Sequence, residues 1–174
     1  MLKSQVIELR EFQPIDIEPL LNYWHNSDSN QLAFIGVEIS KLSSEEVMRA
    51  ALTREALLKP DQQCYVTILF QGAAIGVYLI NQLKQNESAV FHAHIWDLDS
   101  RGKGIGTKTY RLACELFLKR FQLQRIIFRT PVQNQAAIRI KGKLGFIYLG
   151  EELAHNRGII KDGTRLRVYE YLKK

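Results

Sequence analysis

Three glycines and two cations fall within six residues at Arg101-Gly102-Lys103-Gly104-Ile105-Gly106, between a β-like run and a strongly amphipathic segment. No other stretch restricts the fold so tightly. Glycine at alternate positions lets the backbone turn with no Cβ in the way, so successive amides can converge on an anion at the start of a helix, whose dipole favours negative charge. Arg101 and Lys103 would add charge-assisted hydrogen bonds. The spacing is not G-x-G-x-x-G, and G-x-x-x-x-G-K-[ST] occurs nowhere, so neither a dinucleotide fingerprint nor a nucleoside-triphosphate loop is supported. The stretch predicts a strand, loop and helix built around some other phosphate.

The surrounding pattern extends that unit. Residues 5–12 alternate as a first strand, and Pro14 with Asp16 marks a helix entry that carries Ile17, Leu20, Leu21 and Trp24 on one face. A loop is expected around residues 26–30, and Ser43 or Ser44 caps a helix running toward Leu58. Residues 64–70, 74–83 and 89–96 are rich in β-branched and aromatic types, with turn chemistry at Gln71-Gly72 and at Gln85-Asn86-Glu87, so they predict an antiparallel meander. From Gly106 onward Tyr110, Leu112, Ala113, Leu116, Phe117 and Phe121 recur at helical spacing. A strand at 126–130 follows, then a helix over 135–144 capped by Asn134 and ended by Gly145, then strands at 146–149 and 165–172. The expected architecture is α/β (α+β), a mixed and largely antiparallel sheet of six to seven strands with helices on both faces.

One domain over residues 1–174 is expected, since a chain of 174 residues with 46% hydrophobic content can bury a sizeable core. Cys64 and Cys114, far apart in apolar segments, read as reduced core residues of a cytoplasmic protein. No apolar run approaches a membrane span, so no membrane partner is expected. The net charge of +6 conceals a split, −6 over residues 1–100 and +12 over residues 101–174. A basic half suits a polyphosphate anion, and the acidic half would favour a cationic co-substrate. The basic half lacks a stripe with interleaved stacking aromatics, which makes nucleic acid the weaker reading of that charge.

The pattern R-x-x-G-x-G, opening a helix after a strand, resembles the acetyl-CoA pyrophosphate loop of the GNAT N-acetyltransferases. A second segment, running from Asn134 through Ala137, Ile138 and Lys143 to Gly145-Phe146, resembles that family's N-x-x-A-I-x-x-x-x-K-x-G-F stretch. The opening L-R-x-F-x-x-x-D-I-x-x-L-L-x-Y-W pattern from Leu9 to Trp24, with Asp162-Gly163 and Val168-Tyr169 near the end, resembles the ribosomal-protein N-terminal (Rim-type) branch.

The resemblance implies an acetyl-CoA-dependent N-acetyltransferase acting on a primary amine, either a small molecule or a peptide N-terminus, in a ternary complex. It implies that the amides of Gly102, Lys103, Gly104, Ile105, Gly106 and Thr107, together with Arg101, cradle the pyrophosphate. His94, Ile95 and Trp96 would pair their backbone with pantetheine, and Asn134 would hydrogen-bond the cofactor or serve only as a helix cap. Holding amine and thioester in attack geometry accounts for roughly 7–11 kcal/mol of barrier in favourable cases, so acid–base help can be modest. The sequence departs from the family where chemistry is expected. The frequent tyrosine acid aligns with Lys141, and one subgroup's glutamate base aligns with Arg129.

His92 and His94, two apart on one strand face, are the remaining acid–base candidates, against the alternative that both merely pack in the sheet. No metal is expected, because no carboxylate or cysteine completes a set around His92, His94 and His155. A catalytically silent CoA-binding module remains the rival reading, with nucleic-acid binding third. A homodimer is compatible with the sequence, which carries no code for the amine.

Overall fold

The alternating runs of the first hundred residues pair in chain order. In the computed structural model, which describes residues 6–173, β1 (Ile7–Glu11), β2 (Tyr65–Phe70), β3 (Ala73–Lys84) and β4 (Ser88–Ile95) form an antiparallel meander. Gln71 and Gly72 both take positive φ, 52° and 82°, the conformation that matches a two-residue turn to the twist of its strands. Beyond β4 come β5 (Arg125–Pro131), β6 (Ile147–Leu153) and β7 (Arg165–Leu172), and the seven strands lie in the order β1-β2-β3-β4-β5-β7-β6.

β4 and β5 are the parallel neighbours, joined by the crossover helix α4 (Ile105–Arg120, numbered with the helices below). Their pairing runs only through Ser88↔Arg125, Ala89↔Ile126 and Val90↔Ile127, although β4 continues to Ile95 and β5 to Pro131. The two strands part company there, and the sheet is split from that point on. Everything chemically interesting lies in or beside the split.

The helices are α1 (Ile17–Asn26), α2 (Ser29–Phe34), α3 (Glu45–Ala56), α4, and α5 (Gln135–Lys143). On one face α4 and α5 cover Ile68, Tyr78, Phe91, Ile126 and Phe128, with Ala113, Cys114 and Phe117 supplying the α4 side. On the other, α1 and α3 cover Phe12, Val77 and Leu79 with Leu20, Leu21 and Trp24. Each large apolar side chain so buried contributes about 1.5–3 kcal/mol relative to exposure. Asp16, 1% exposed, ties α1 to the sheet by accepting hydrogen bonds from both Nη atoms of Arg10, from Thr67 Oγ1 at 2.7 Å and from the Gln13 amide.

Most expected elements appear within a residue or two, and three details differ. The segment expected to loop around residues 26–30 contains α2, started by Asp28, whose carboxylate accepts from the Asn30 amide. Leu112, expected on the buried stripe of α4, is 53% exposed, and Thr109 and Leu118 are buried on that stripe instead. The first of the two final strands runs on to Leu153, because β7 pairs with it along its whole length. No helix of the described residues is long and apolar enough to cross a membrane.

Candidate active site

The glycine-rich segment turns as its composition requires. Gly102 and Gly104 take φ of 77° and 74°, and a Cβ built on either meets no atom within 4 Å. Among the described residues, the amides of 102–107 donate to no acceptor in the chain; the first bond of α4 runs from Lys108 N–H to the Gly104 carbonyl at 3.2 Å. Six consecutive donors at a helix N-terminus, beside open space, make a site suited to an anion. Gly106 serves a different end: a Cβ there would lie 2.8 Å from Ile140 Cδ1, so it sets the close approach of α4 to α5.

These amides border a cavity of about 480 Å³ that runs along the split face of β4, past Ala93 and Ile95. Its cations are Arg101, Arg139 and Lys143. Arg139 and Lys143 sit four apart on α5; Lys143 is the lysine of the second family-like segment, whereas Arg139 reads in the sequence only as one more cation of a basic half. The Nζ of Lys103 lies 5.4 Å from the Phe70 ring centroid, outside the lining of this cavity. Asn134 borders the same cavity while its Oδ1 accepts from the Ala137 amide at 3.2 Å, so it does cap α5.

Strand parity decides which β4 groups face the gap. The amides of Trp96 and Asp97 both donate to the Ile75 carbonyl, at 3.0 and 3.2 Å, which is a bulge at the end of β4. Alternation back from Trp96 turns the peptide groups of His94 and His92 toward β3 and those of Ala93 and Ile95 toward the split. The β4 backbone open to a ligand in the split is therefore that of Ala93 and Ile95, rather than His94 and Trp96. The Ile95 carbonyl already accepts from Arg101 Nη2 at 3.0 Å.

A second cavity, of about 390 Å³, opens on the far side of the split. Ile35, Ala93, Tyr110 and Ala137 border both, so the two meet there. At this junction lies Lys141, 3% exposed, its Nζ donating to the Ala137 carbonyl at 3.3 Å and stacked 5.2 Å from the Tyr110 and 5.4 Å from the Phe128 ring centroids. Burial lowers its pKa from 10.5 to about 8. The position that the sequence marked as a departure holds an ammonium whose proton affinity is close to that of an ordinary alkyl thiol, about 8.5.

His92 and His94 line the second cavity with nearly parallel rings 6.4 Å apart. The Nε2 of His92 pairs with Asn81 Oδ1 at 3.0 Å; the amide oxygen can only accept, so Nε2 carries the hydrogen and Nδ1 is left as the acceptor. The Nδ1 of His94 is engaged by the Tyr23 hydroxyl at 3.3 Å, and its ring packs 4.6 Å from that of Trp24. Burial, with Arg129 nearby, lowers His92 to about 4; burial, with His92 nearby, lowers His94 to about 3. The expected titration near 6.5 is thus displaced, and both rings are neutral at working pH.

Trp24, Val37, Leu52, Leu79, Ile159 and Leu166 make the rest of this cavity largely apolar. Its roof is a strap in which Val37 bridges Ile160, the Glu38 amide donates to Ile159 O, and the Lys161 amide to Gly36 O, both at 2.8 Å. Arg129 and Arg157 line the wall, while Tyr169 and Tyr171 are packed in the core beyond it. Among the described residues no group of three or more His, Cys, Asp or Glu is arranged to hold a metal.

An amide-lined anion site at a helix N-terminus, beside a split strand pair onto which a second cavity opens, is the layout of an acetyl-CoA-dependent N-acetyltransferase. The chain belongs to the acetyltransferase (GNAT) domain family, whose profile matches residues 7–147. No curated protein is similar to it by sequence. Its fold is shared with a ribosomal-protein-S5-alanine acetyltransferase from Vibrio fischeri, at a TM-score of 0.76 and 16% identity over 98% of this chain and 97% of that one. A RimL ribosomal L7/L12 alpha-N-protein acetyltransferase in complex with coenzyme A gives 0.75 and 18% over 99% and 96%. A GNAT acetyltransferase from Streptococcus pneumoniae gives 0.69 and 21% over 97% and 100%.

Proposed function

We propose that residues 1–174 act as one catalytic domain that moves an acetyl group from acetyl-CoA to a primary amine by direct attack. The observation that carries this reading is the meeting of the two cavities beside Lys141, with unpartnered amides at one end and an apolar chamber at the other. Acetyl-CoA supplies the activated acyl group. The amides of residues 102–107 with Arg101, Arg139 and Lys143 hold its phosphates, and the Ala93 and Ile95 peptide groups hold the extended arm.

His92 Nδ1 accepts the amine proton, directly or through water, and stands closer to that task than His94, whose Nδ1 is already engaged. Lys141 delivers a proton from Nζ to the departing sulfur, the task its family counterpart tyrosine would perform. A buried ammonium at that spot speaks against the silent CoA-binding module, which has no need of it.

Incubation with acetyl-CoA and a panel of amines and peptides, read by release of free thiol, tests the proposal. Cofactor binding without turnover on any amine overturns it. Two unpaired cysteines support a cytoplasmic setting. The exposed Ile147, Leu149 and Leu153 on the outer strand β6 favour a homodimer, which sedimentation reads directly.

A further inference from the structure

The second cavity carries an imbalance that an amine alone does not explain. Its wall holds three cations, Arg129, Lys141 and Arg157, and neither Asp nor Glu. Behind the wall one carboxylate serves two guanidinium groups: Glu152 Oε1 accepts from Arg129 Nε at 2.8 Å and lies 3.3 Å from Arg157 Nη2. Each arginine keeps a buried nitrogen that donates to nothing among the described residues, Nη1 of Arg129 and Nε of Arg157. Buried donors of this kind are costly to leave unpaired. The acidic half of the sequence does not help, because its Glu18 and Glu45 are tied to Arg49 on the outer surface.

We propose that this chamber takes an amine that also carries a carboxylate on an apolar body, with the carboxylate seated on Arg129 and Arg157. The inference rests on the acetyltransferase reading and deepens it. A guanidinium offers a planar fork of donors that fits a carboxylate, and Glu152 engages each of Arg129 and Arg157 through one oxygen only, Oε1. With Lys141 assigned to the departing sulfur, the two guanidinium groups sharing Glu152 leave one positive charge at their end of the chamber, which a carboxylate balances and a dianionic phosphate exceeds. The apolar body contacts Trp24, Leu52, Leu79 and Ile159 beneath the strap. A bare cationic amine would meet a chamber lined by three cations and no carboxylate.

The experiment separates binding from turnover. Calorimetry on the CoA-loaded protein compares phenylacetate, 3-phenylpropionate and 4-phenylbutyrate, which cannot be acetylated, with their carboxamides. The expected result is that at least one carboxylate binds about tenfold more tightly than its amide, and that Arg129→Gln or Arg157→Gln removes the preference. Equal affinity of every acid and amide, or tighter binding of phenyl phosphate than of any carboxylate, overturns the proposal. In parallel, thiol release with L-phenylalanine, L-phenylalaninamide and 2-phenylethylamine distinguishes the two readings. Turnover of the amide or the bare amine as efficiently as the acid sinks this inference and leaves the acetyltransferase standing. Carboxylate binding with no turnover of any amine supports this chamber and sinks the enzyme.

Discussion

The Nζ of Lys141 sits 5.2 Å from the centre of the Tyr110 ring, with no carboxylate paired to it among the described residues. An aromatic face partly offsets the lost hydration of an ammonium, yet burial still dominates and brings its pKa to about 8. A proton held that loosely is available to a thiolate and not yet lost at neutral pH.

Lys141→Met is expected to lower kcat about 100-fold with little change in KM for acetyl-CoA, as removal of a general acid does. Lys141→Tyr, the family's usual residue, restores part of it. In the wild type, kcat falls as pH rises through about 8, where Lys141 loses its proton, and that alkaline limb is absent from Lys141→Met.

The same substitution affects stability with a definite sign. A lysine whose folded pKa lies below its unfolded one opposes folding below about pH 8, and the opposition fades as pH rises toward 10.5. Lys141→Met therefore stabilises the protein near neutrality by of order 2 kcal/mol, and the gain shrinks in alkaline buffer. Urea melts at pH 7 and pH 10 read both.

His92 and His94 predict the acid side. Both are held neutral well below the ordinary imidazole range, so protons bind the unfolded chain first as pH drops below 6.5. Stability at neutral pH is lost progressively from about pH 6.5 down to about 4 for His92 and about 3 for His94. His92→Gln flattens that decline. Catalysis, by contrast, shows no acid limb near 6.5, since His92 remains a neutral acceptor until about pH 4. An inflection in kcat at 6.5 would remove His92 from its assigned role.

Two glycines of one loop are expected to respond differently to alanine. Gly104→Ala forces a side chain into a left-handed backbone, at about 1–2 kcal/mol, and plants a Cβ where the phosphate should lie. Cofactor affinity falls more than tenfold and the melting temperature drops several degrees. Gly106→Ala meets only the mobile end of Ile140, and the helix gains about 1 kcal/mol of propensity, so stability stays near wild type. Calorimetric titration with CoA and thermal melts separate the two.

Asp16→Ala removes the acceptor shared by Arg10, Thr67 and the Gln13 amide, and is expected to cost about 3 kcal/mol in denaturant unfolding, because the partners remain half-buried without it. Neither Asp16 nor its partners lines either cavity, so kcat of the folded fraction holds.

Periodicity made the elements legible, and the glycine run made the anion loop legible, since both depend on local backbone chemistry. The α2 turn was hidden because Ser29-Asn30-Gln31 reads as loop until Asp28 is known to cap it. Lys103 looked like a phosphate ligand by position, and only tertiary packing reveals Phe70 beneath it. Arg139 and Arg157 carried no local signal; Arg139 reaches its cavity through the face of α5, and Arg157 comes from a segment with no periodic pattern. The charge halves say little about the wall of the second cavity for a related reason. Net charge counts residues, whereas a chamber wall collects only those whose side chains turn inward.

The seam at Ser88, Ala89 and Val90 has a dynamic corollary. Seven strands are held as two blocks by three paired residues, so amide hydrogens on Ala93 and Ile95 should trade with solvent deuterium far faster than those on Val77 or Phe128 until a thioester arm bridges the blocks. Occupancy of the gap then acts as a clasp across the sheet, and the slowing of that exchange on adding CoA measures how firmly it shuts.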